Sequence, residues 1–189
     1  MLNTANVLTL SRIAAIPLVV LCMWLDRSWS PWVSVVLFAA AAITDWFDGY
    51  FARRYHQISR FGRFLDPIAD KLLVAAALVM LVYSDQLRGV NVLAALIILA
   101  REILVSGLRE FLAELRVSLP VSQLAKWKTA AQMVAIAVLL LGDAVPEVVR
   151  HIGLVLIWVA AVLTLITGYD YLRTGLRHMA EDQPARGAE

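Results

Sequence analysis

Six apolar segments, at residues 7–25, 31–52, 64–84, 90–112, 124–142 and 150–172, run almost end to end through this chain. Each reaches the ~20 residues with which a helix spans a bilayer. In hydrocarbon, backbone N–H and C=O groups have to be satisfied inside the protein, so apolar runs of this length can only be helices. The expected fold is therefore all-α: a polytopic membrane protein of six transmembrane helices. They form one domain over residues 1–178, with 179–189 as a disordered tail. Composition agrees, since 61% of the 189 residues are hydrophobic and 17% are charged, against about 45–50% and 25% in soluble domains. No room is left for a separate soluble domain, and no nucleic-acid partner is expected. Met1-Leu-Asn-Thr-Ala-Asn has no basic n-region, so the first segment is expected to be retained rather than cleaved. Cys22 stands alone and reads as a small buried hydrophobe.

Four aspartates interrupt these apolar runs. They read Asp45-x-x-Asp48-Gly49-x-x-Ala52-Arg53 and, after eight residues, Gly62-x-x-x-Asp66-x-x-x-Asp70. At 100° per residue, Asp45, Asp48, Gly49 and Ala52 share one side of a helix, and Asp66 and Asp70 share one side of another. Acidic groups inside a membrane segment are costly unless cations neutralise them. Two unit charges 4 Å apart interact by about 4 kcal/mol at an effective dielectric near 20. Four carboxylates so placed imply one or two divalent metals, and oxygen-only ligands point to Mg²⁺ or Mn²⁺ rather than zinc.

Charge also orients the chain. If six helices alternate, Arg12, Arg53, Arg54, Arg60, Arg63, Lys71, Arg101, Arg109, Arg116, Lys126, Lys128, Arg173, Arg177 and Arg186 fall at one set of ends. The other set holds only Arg27, Arg88 and Arg150. The positive-inside rule then places both termini and the aspartates on the cytoplasmic side. The charge-free runs, such as 72–84 and 90–100, lie toward the opposite ends of their helices. The cytoplasmic half of the bundle is therefore expected to enclose a polar, water-accessible cavity.

Two metals held by shared carboxylates can clamp a pyrophosphate. Small Gly49 and Ala52, on the face of Asp48, let a ligand approach the helix backbone, though they also suit helix packing. Arg53 presents a planar fork matched to phosphate oxygens. Gly62, one turn before Asp66, again allows a close approach. Pro67 is expected near the start of its helix, where a missing N–H is tolerated. Asp70 can be a metal ligand, a general base, or both.

The complete pattern D-x-x-D-G-x-x-A-R-x8-G-x-x-x-D-x-x-x-D resembles the signature of the CDP-alcohol phosphotransferase family. The likeness extends over nearly the whole chain through Asn6-Val-Leu-Thr9-Leu-Ser-Arg12, Thr44-Asp-Trp-Phe-Asp-Gly, Phe64-Leu-Asp-Pro-Ile-Ala-Asp-Lys71, Ala100-Arg-Glu-Ile and Lys126-Trp-Lys-Thr-Ala-Ala-Gln-Met133. The resemblance implies a six-helix membrane bundle, a homodimer, in the bacterial plasma (inner) membrane among its lipids. It implies transfer of the phosphatidyl group of CDP-diacylglycerol to sn-glycerol 3-phosphate with release of CMP. It further implies that Asp45, Asp48, Asp66 and Asp70 hold two Mg²⁺ or Mn²⁺ ions and that Asp70 is the base. Asn6, Thr9, Asp48, Gly49, Ala52, Arg53 and Gly62 are then the CDP-binding residues.

A dianionic acceptor needs cations beyond the metals. Arg101, Arg109, Lys126 and Lys128, near the cytoplasmic ends of segments four and five, are the natural candidates. Glu102 and Glu110 can instead pair with them structurally. Trp24, Trp29 and Trp32 read as an interfacial belt, Trp46 and Trp127 as packing residues near the cavity, and His56, His151 and His178 as residues in or near loops with no assigned role. The alternatives are the same reaction with serine, inositol phosphate or phosphatidylglycerol as acceptor, and, from a different class, a cation transporter, which would gain nothing from Arg53.

Overall fold

The computed structural model describes residues 4–25, 27–55, 60–114 and 122–181; at 4–8, 45–55, 60, 61, 63, 64, 114 and 178–181 it describes the backbone alone. Among the described residues the chain is wholly helical: α1 (Thr4–Trp24), α2 (Ser30–Tyr55), α3 (Arg60–Tyr83), α4 (Asn91–Glu114), α5 (Gln123–Leu140) and α6 (Glu147–Glu181), with one short 3-10 turn at Gly142–Ala144. Each helix overlies one of the six apolar segments. Runs rich in Ala, Leu and Ile favour this form, and no helix interior carries more than one proline.

The ends differ from the sequence expectation in two places. The third helix starts at Arg60, so Pro67 lies two turns inside it rather than at its start. Its ring removes the N–H that would bond the carbonyl of Arg63. The sixth helix runs to Glu181, past the 178 at which the sequence predicts the domain to end. Arg173 and Arg177 are good helix formers, and the next proline is Pro184. The rest of the expected tail, 182–189, lies outside the described residues.

Packing sorts the helices into two groups. The first helix rests on α2 and α3, the sixth on α5 and α4, and α5 joins the groups by touching α2 and α3. Phe38, Leu73, Leu78, Leu81, Ile98, Ile136, Leu139 and Ile157 are buried in the shared core. The fourth and sixth helices run parallel. Trp158 Nε1 donates to Asn91 Oδ1 at 2.9 Å across a separation of 67 residues, and the same offset recurs where Gly168 meets Arg101 and Gly175 meets Leu108.

At one end of the bundle the connections are tight. The α3–α4 turn is closed by Leu87 N–H donating to the Leu81 carbonyl at 2.9 Å, with Asp85 in the left-handed region at φ 56°. Gly142, at φ 51°, meets the Gln86 side chain so closely that a Cβ there would lie 3.0 Å from Gln86 Nε2. The opposite end gathers the polar residues described below.

The outside of the bundle is apolar. Ile103 and Val155 are 71% and 63% exposed, and Val36, Val79, Leu96 and Leu165 are similarly open. Large apolar side chains on the outer faces of every helix suit a membrane-associated protein, not one surrounded by water. The fourth helix over Asn91–Ala113 and the sixth over Glu147–Arg177 are each long and apolar enough to cross a bilayer. Trp24, Trp29 and Trp32 are all exposed around the α1–α2 connection, where an interfacial belt would sit.

Candidate active site

The polar groups at this end come from nearly every helix. Thr9, in the second turn of α1, is 1% exposed, and its hydroxyl donates to Asp66 Oδ1 of α3 at 2.5 Å. The bond engages one oxygen of Asp66 and leaves the other for a cation. One turn on, Asp70 is partly buried, and Lys71 Nζ donates to Ser106 Oγ of α4. Ala69, between the two aspartates, is fully buried and seats this part of α3 in the core.

A second polar group lies on α4, α5 and α6. Lys128 is buried to 3% exposure, and its Nζ donates to Glu102 Oε1. Arg101 Nη1 lies 3.5 Å from that same oxygen. Arg101 is also held from α6: its Nη2 donates to Thr167 Oγ1 at 3.2 Å, and its guanidinium lies 5.7 Å from the Tyr171 ring centroid. The Thr167 hydroxyl donates a hydrogen bond to the Leu163 carbonyl at 2.8 Å, so its oxygen is set to accept from Arg101. Arg109 covers Tyr171 too, at 5.9 Å. Ser106 lies one turn along α4 from Glu102, so the Lys71–Ser106 hydrogen bond brings the two groups together.

Several buried polar atoms here have no partner among the described residues: Arg101 Nε, Gln132 Oε1 one turn beyond Lys128, and Thr164 Oγ1. Buried polar atoms are normally satisfied. Of these, Arg101 Nε is a donor that an anionic ligand could use, whereas Gln132 Oε1 is an acceptor.

The structure thus brings Thr9, Asp66, Asp70, Arg101 and Lys128 to one end of the bundle. Gly62 is buried on α3 one turn before Asp66. Lys126 is not drawn in: it is exposed and makes no hydrogen bond or ion pair among the described residues, because two residues of helix turn it away from Lys128. Trp127 is 70% exposed and does not pack near a cavity. His151 lies in the second turn of α6, near the connection that precedes it, its Nδ1 2.9 Å from the Glu147 carbonyl oxygen; His56 and the His178 side chain lie outside what is described. Asp45, Asp48, Gly49, Ala52 and Arg53 belong to the last turns of α2 and Asn6 to the first turn of α1, but their side chains lie outside the described residues. Asp66 and Asp70 alone do not make a metal cluster, and among the described side chains no group of three metal ligands occurs. The donors that are described, carboxylate oxygens on one helix face with one oxygen steadied by Thr9, fit a hard divalent cation.

Arg12, one turn after Thr9 and among the cations that the sequence places at this end, is 1% exposed and among the largest fully buried side chains. Sequence reasoning missed two contributors. Tyr171 and Thr167, which hold Arg101, carried no signal, because they are two turns of α6 brought there only by the α4–α6 packing.

Residues 2–166 match the family model described as CDP-alcohol phosphatidyltransferase. The chain is 47% identical over 173 residues to the CDP-diacylglycerol–glycerol-3-phosphate 3-phosphatidyltransferase of Rickettsia bellii, covering 90% of this chain and 94% of that protein. It is 49% identical over 173 residues to the enzyme of that name from Shigella flexneri serotype 5b, covering 90% and 93%. A third so named, from Cereibacter sphaeroides, is 40% identical over 215 residues, covering 94% and 97%.

Proposed function

The chain belongs to the CDP-alcohol phosphatidyltransferase family, and from that premise we propose that it transfers the phosphatidyl group of CDP-diacylglycerol to sn-glycerol 3-phosphate, releasing CMP and forming phosphatidylglycerophosphate. The observation that carries this reading is the match, along almost the whole chain, to relatives named for this reaction. The unbroken aspartate signature agrees with it, as do the buried Lys128 and the half-buried Arg101 beside it, cations that serine would not need.

Asp45, Asp48, Asp66 and Asp70 would hold Mg²⁺ or Mn²⁺, two ions on this reading, which when bound neutralise the charge of the donor pyrophosphate and of departing CMP. Thr9 steadies Asp66 for that role. Asn6, Gly49, Ala52, Arg53 and Gly62 cradle the CDP moiety, the small residues admitting it to the helix backbone and Arg53 binding a phosphate oxygen. Arg101 and Lys128, with Arg109 at the rim, bind the phosphate of the acceptor. Asp70 takes the proton from the acceptor hydroxyl. The freed oxygen bonds to the diacylglycerol-linked phosphorus, and the bond from that phosphorus to the bridging oxygen of CMP breaks. All six helices span the bacterial plasma membrane, with both termini and the polar cavity on the cytoplasmic side, and the enzyme works as a homodimer.

The test is CMP release by the purified chain with CDP-diacylglycerol and a panel of acceptors, with Mg²⁺, with Mn²⁺ and with chelator. Release is expected with glycerol 3-phosphate and a divalent ion. Faster release with serine, inositol phosphate or phosphatidylglycerol would move the acceptor assignment, and ion transport without CMP release would replace the reading altogether.

A further inference from the structure

Glu102 occupies a position that conflicts with the acceptor site in which it stands. Its Oε1 accepts from Lys128 Nζ and lies 3.5 Å from Arg101 Nη1, so one carboxylate oxygen is shared by cations from two helices. That is the place a phosphate oxygen would take. The three charges sum to one positive unit. A dianionic phosphate cannot enter between Arg101 and Lys128 while an ionised carboxylate remains in the same fork, since like charges at such distances repel strongly.

The three residues are not equally fixed. Lys128 has a side chain 3% exposed. Arg101 is clamped by Thr167, by the Tyr171 ring and by Gly168, where a Cβ would lie 3.0 Å from Arg101 Cγ. Glu102 has a side chain 18% exposed, and among the described residues its hydrogen bond and ion pairs are those to the two cations. It is the partner able to swing away. Arg101 Nε, buried, has no hydrogen-bond partner among the described residues and is a donor that Glu102 does not use.

We propose that Glu102 is a resident counter-ion and a specificity-determining residue: it fills the acceptor-phosphate position in the resting enzyme and is displaced by the acceptor. The inference rests on the acceptor reading given above and deepens it. A carboxylate tethered to α4 competes at high effective concentration. An incoming monoanion offers the fork no more charge than Glu102 already supplies. A phosphate dianion offers twice as much. The device therefore rejects neutral and singly charged alcohols and admits phosphorylated ones, which a bare pair of cations would not do as sharply.

The experiment is steady-state CMP release by the full-length chain and by Glu102→Gln, varying glycerol 3-phosphate at saturating CDP-diacylglycerol, with inorganic phosphate as competing anion. Glutamine keeps the shape and removes the charge. The expected result is a KM for glycerol 3-phosphate about 10-fold lower, an inorganic-phosphate inhibition constant lower by a similar factor, an unchanged KM for CDP-diacylglycerol, and new use of glycerate, a monoanionic acceptor. A structural pairing predicts otherwise: the KM for glycerol 3-phosphate stays or rises, and phosphate inhibits no better. Either result in a folded variant overturns the inference. Should Glu102→Gln not fold, Glu102→Asp, which shortens the reach to Lys128, must move both constants the same way by a smaller factor, and a rise in either overturns the inference. Wild-type enzyme that ignores glycerol 3-phosphate would defeat the proposed function itself, whereas normal wild-type turnover with unmoved Glu102→Gln constants defeats only the role of Glu102.

Discussion

At the scale of single residues, the aspartates and the cations make separable demands. Replacing Asp45, Asp48 or Asp66 by Asn removes a charge and a cation ligand together, and turnover is expected to fall by orders of magnitude in a CMP-release assay, with the fold retained because fewer carboxylates repel. Near-normal turnover in any of the three would end the two-metal reading. Asp70→Asn should lose about 10²–10⁴-fold in the chemical step while still binding CDP-diacylglycerol, as removal of a positioned base does; equal loss of donor binding would make Asp70 chiefly a ligand. At the acceptor end, a charge-assisted hydrogen bond contributes about 1.5–3 kcal/mol. Arg101→Ala and Lys128→Ala should therefore raise the KM for glycerol 3-phosphate by roughly 10- to 150-fold, and Lys126→Ala, whose side chain is exposed and turned from the cluster, by much less. An effect of Lys126→Ala as large as that of Lys128→Ala would mean that the pocket lies beyond the first turn of α5.

At the scale of helices, the site depends on how α4 and α6 lie together. Gly168 and Gly175 face α4, and a Cβ at Gly175 would come within 2.9 Å of a Leu108 methyl. Small residues let parallel helices approach in this way. Gly168 bears directly on function, because the atom it would crowd is Arg101 Cγ rather than a methyl at a flexible tip. Gly168→Val is expected to push the guanidinium off Thr167 and Tyr171, raising the KM for glycerol 3-phosphate several-fold and leaving that for CDP-diacylglycerol nearly unchanged. Overpacking of this kind typically costs about 1–3 kcal/mol, so a lower thermal midpoint should accompany it. A variant with both KM values intact would show that Arg101 does not need its α6 clamp.

At the scale of the whole molecule, the polar ends of α1, α3, α4, α5 and α6 meet on one side, while the short connections lie on the other. Arg27, Arg88 and Arg150 line two adjoining cavities of about 670 and 280 Å³ there. The charge asymmetry predicts that positions 54 and 126 face the cytoplasm and 88 the opposite side. Single cysteines at these positions on a Cys22→Ala background, labelled in intact cells and in inverted vesicles, test this. Labelling of position 88 only from the cytoplasmic side would reverse the assigned orientation.

The sequence by itself determined the helices and the chemistry of the aspartates. Runs of about 20 apolar residues have no satisfied backbone other than a helix in hydrocarbon, and carboxylates at helical spacing within them are the basis for proposing a cation there. It could not tell which cations stand together, because Lys128, Glu102, Arg101 and Tyr171 belong to three helices whose mutual rotation no local pattern encodes. Lys126 and Lys128 look equivalent along the chain, and helix rotation buries one and exposes the other. Pro67 reads as a helix start, yet α3 begins at Arg60, because packing of α3 against its neighbours outweighs one missing hydrogen bond. The pairing of Glu102 with both Arg101 and Lys128, on which its proposed competition with a phosphate rests, exists only once α4, α5 and α6 close on one another, since it is a matter of distance and burial rather than of residue type.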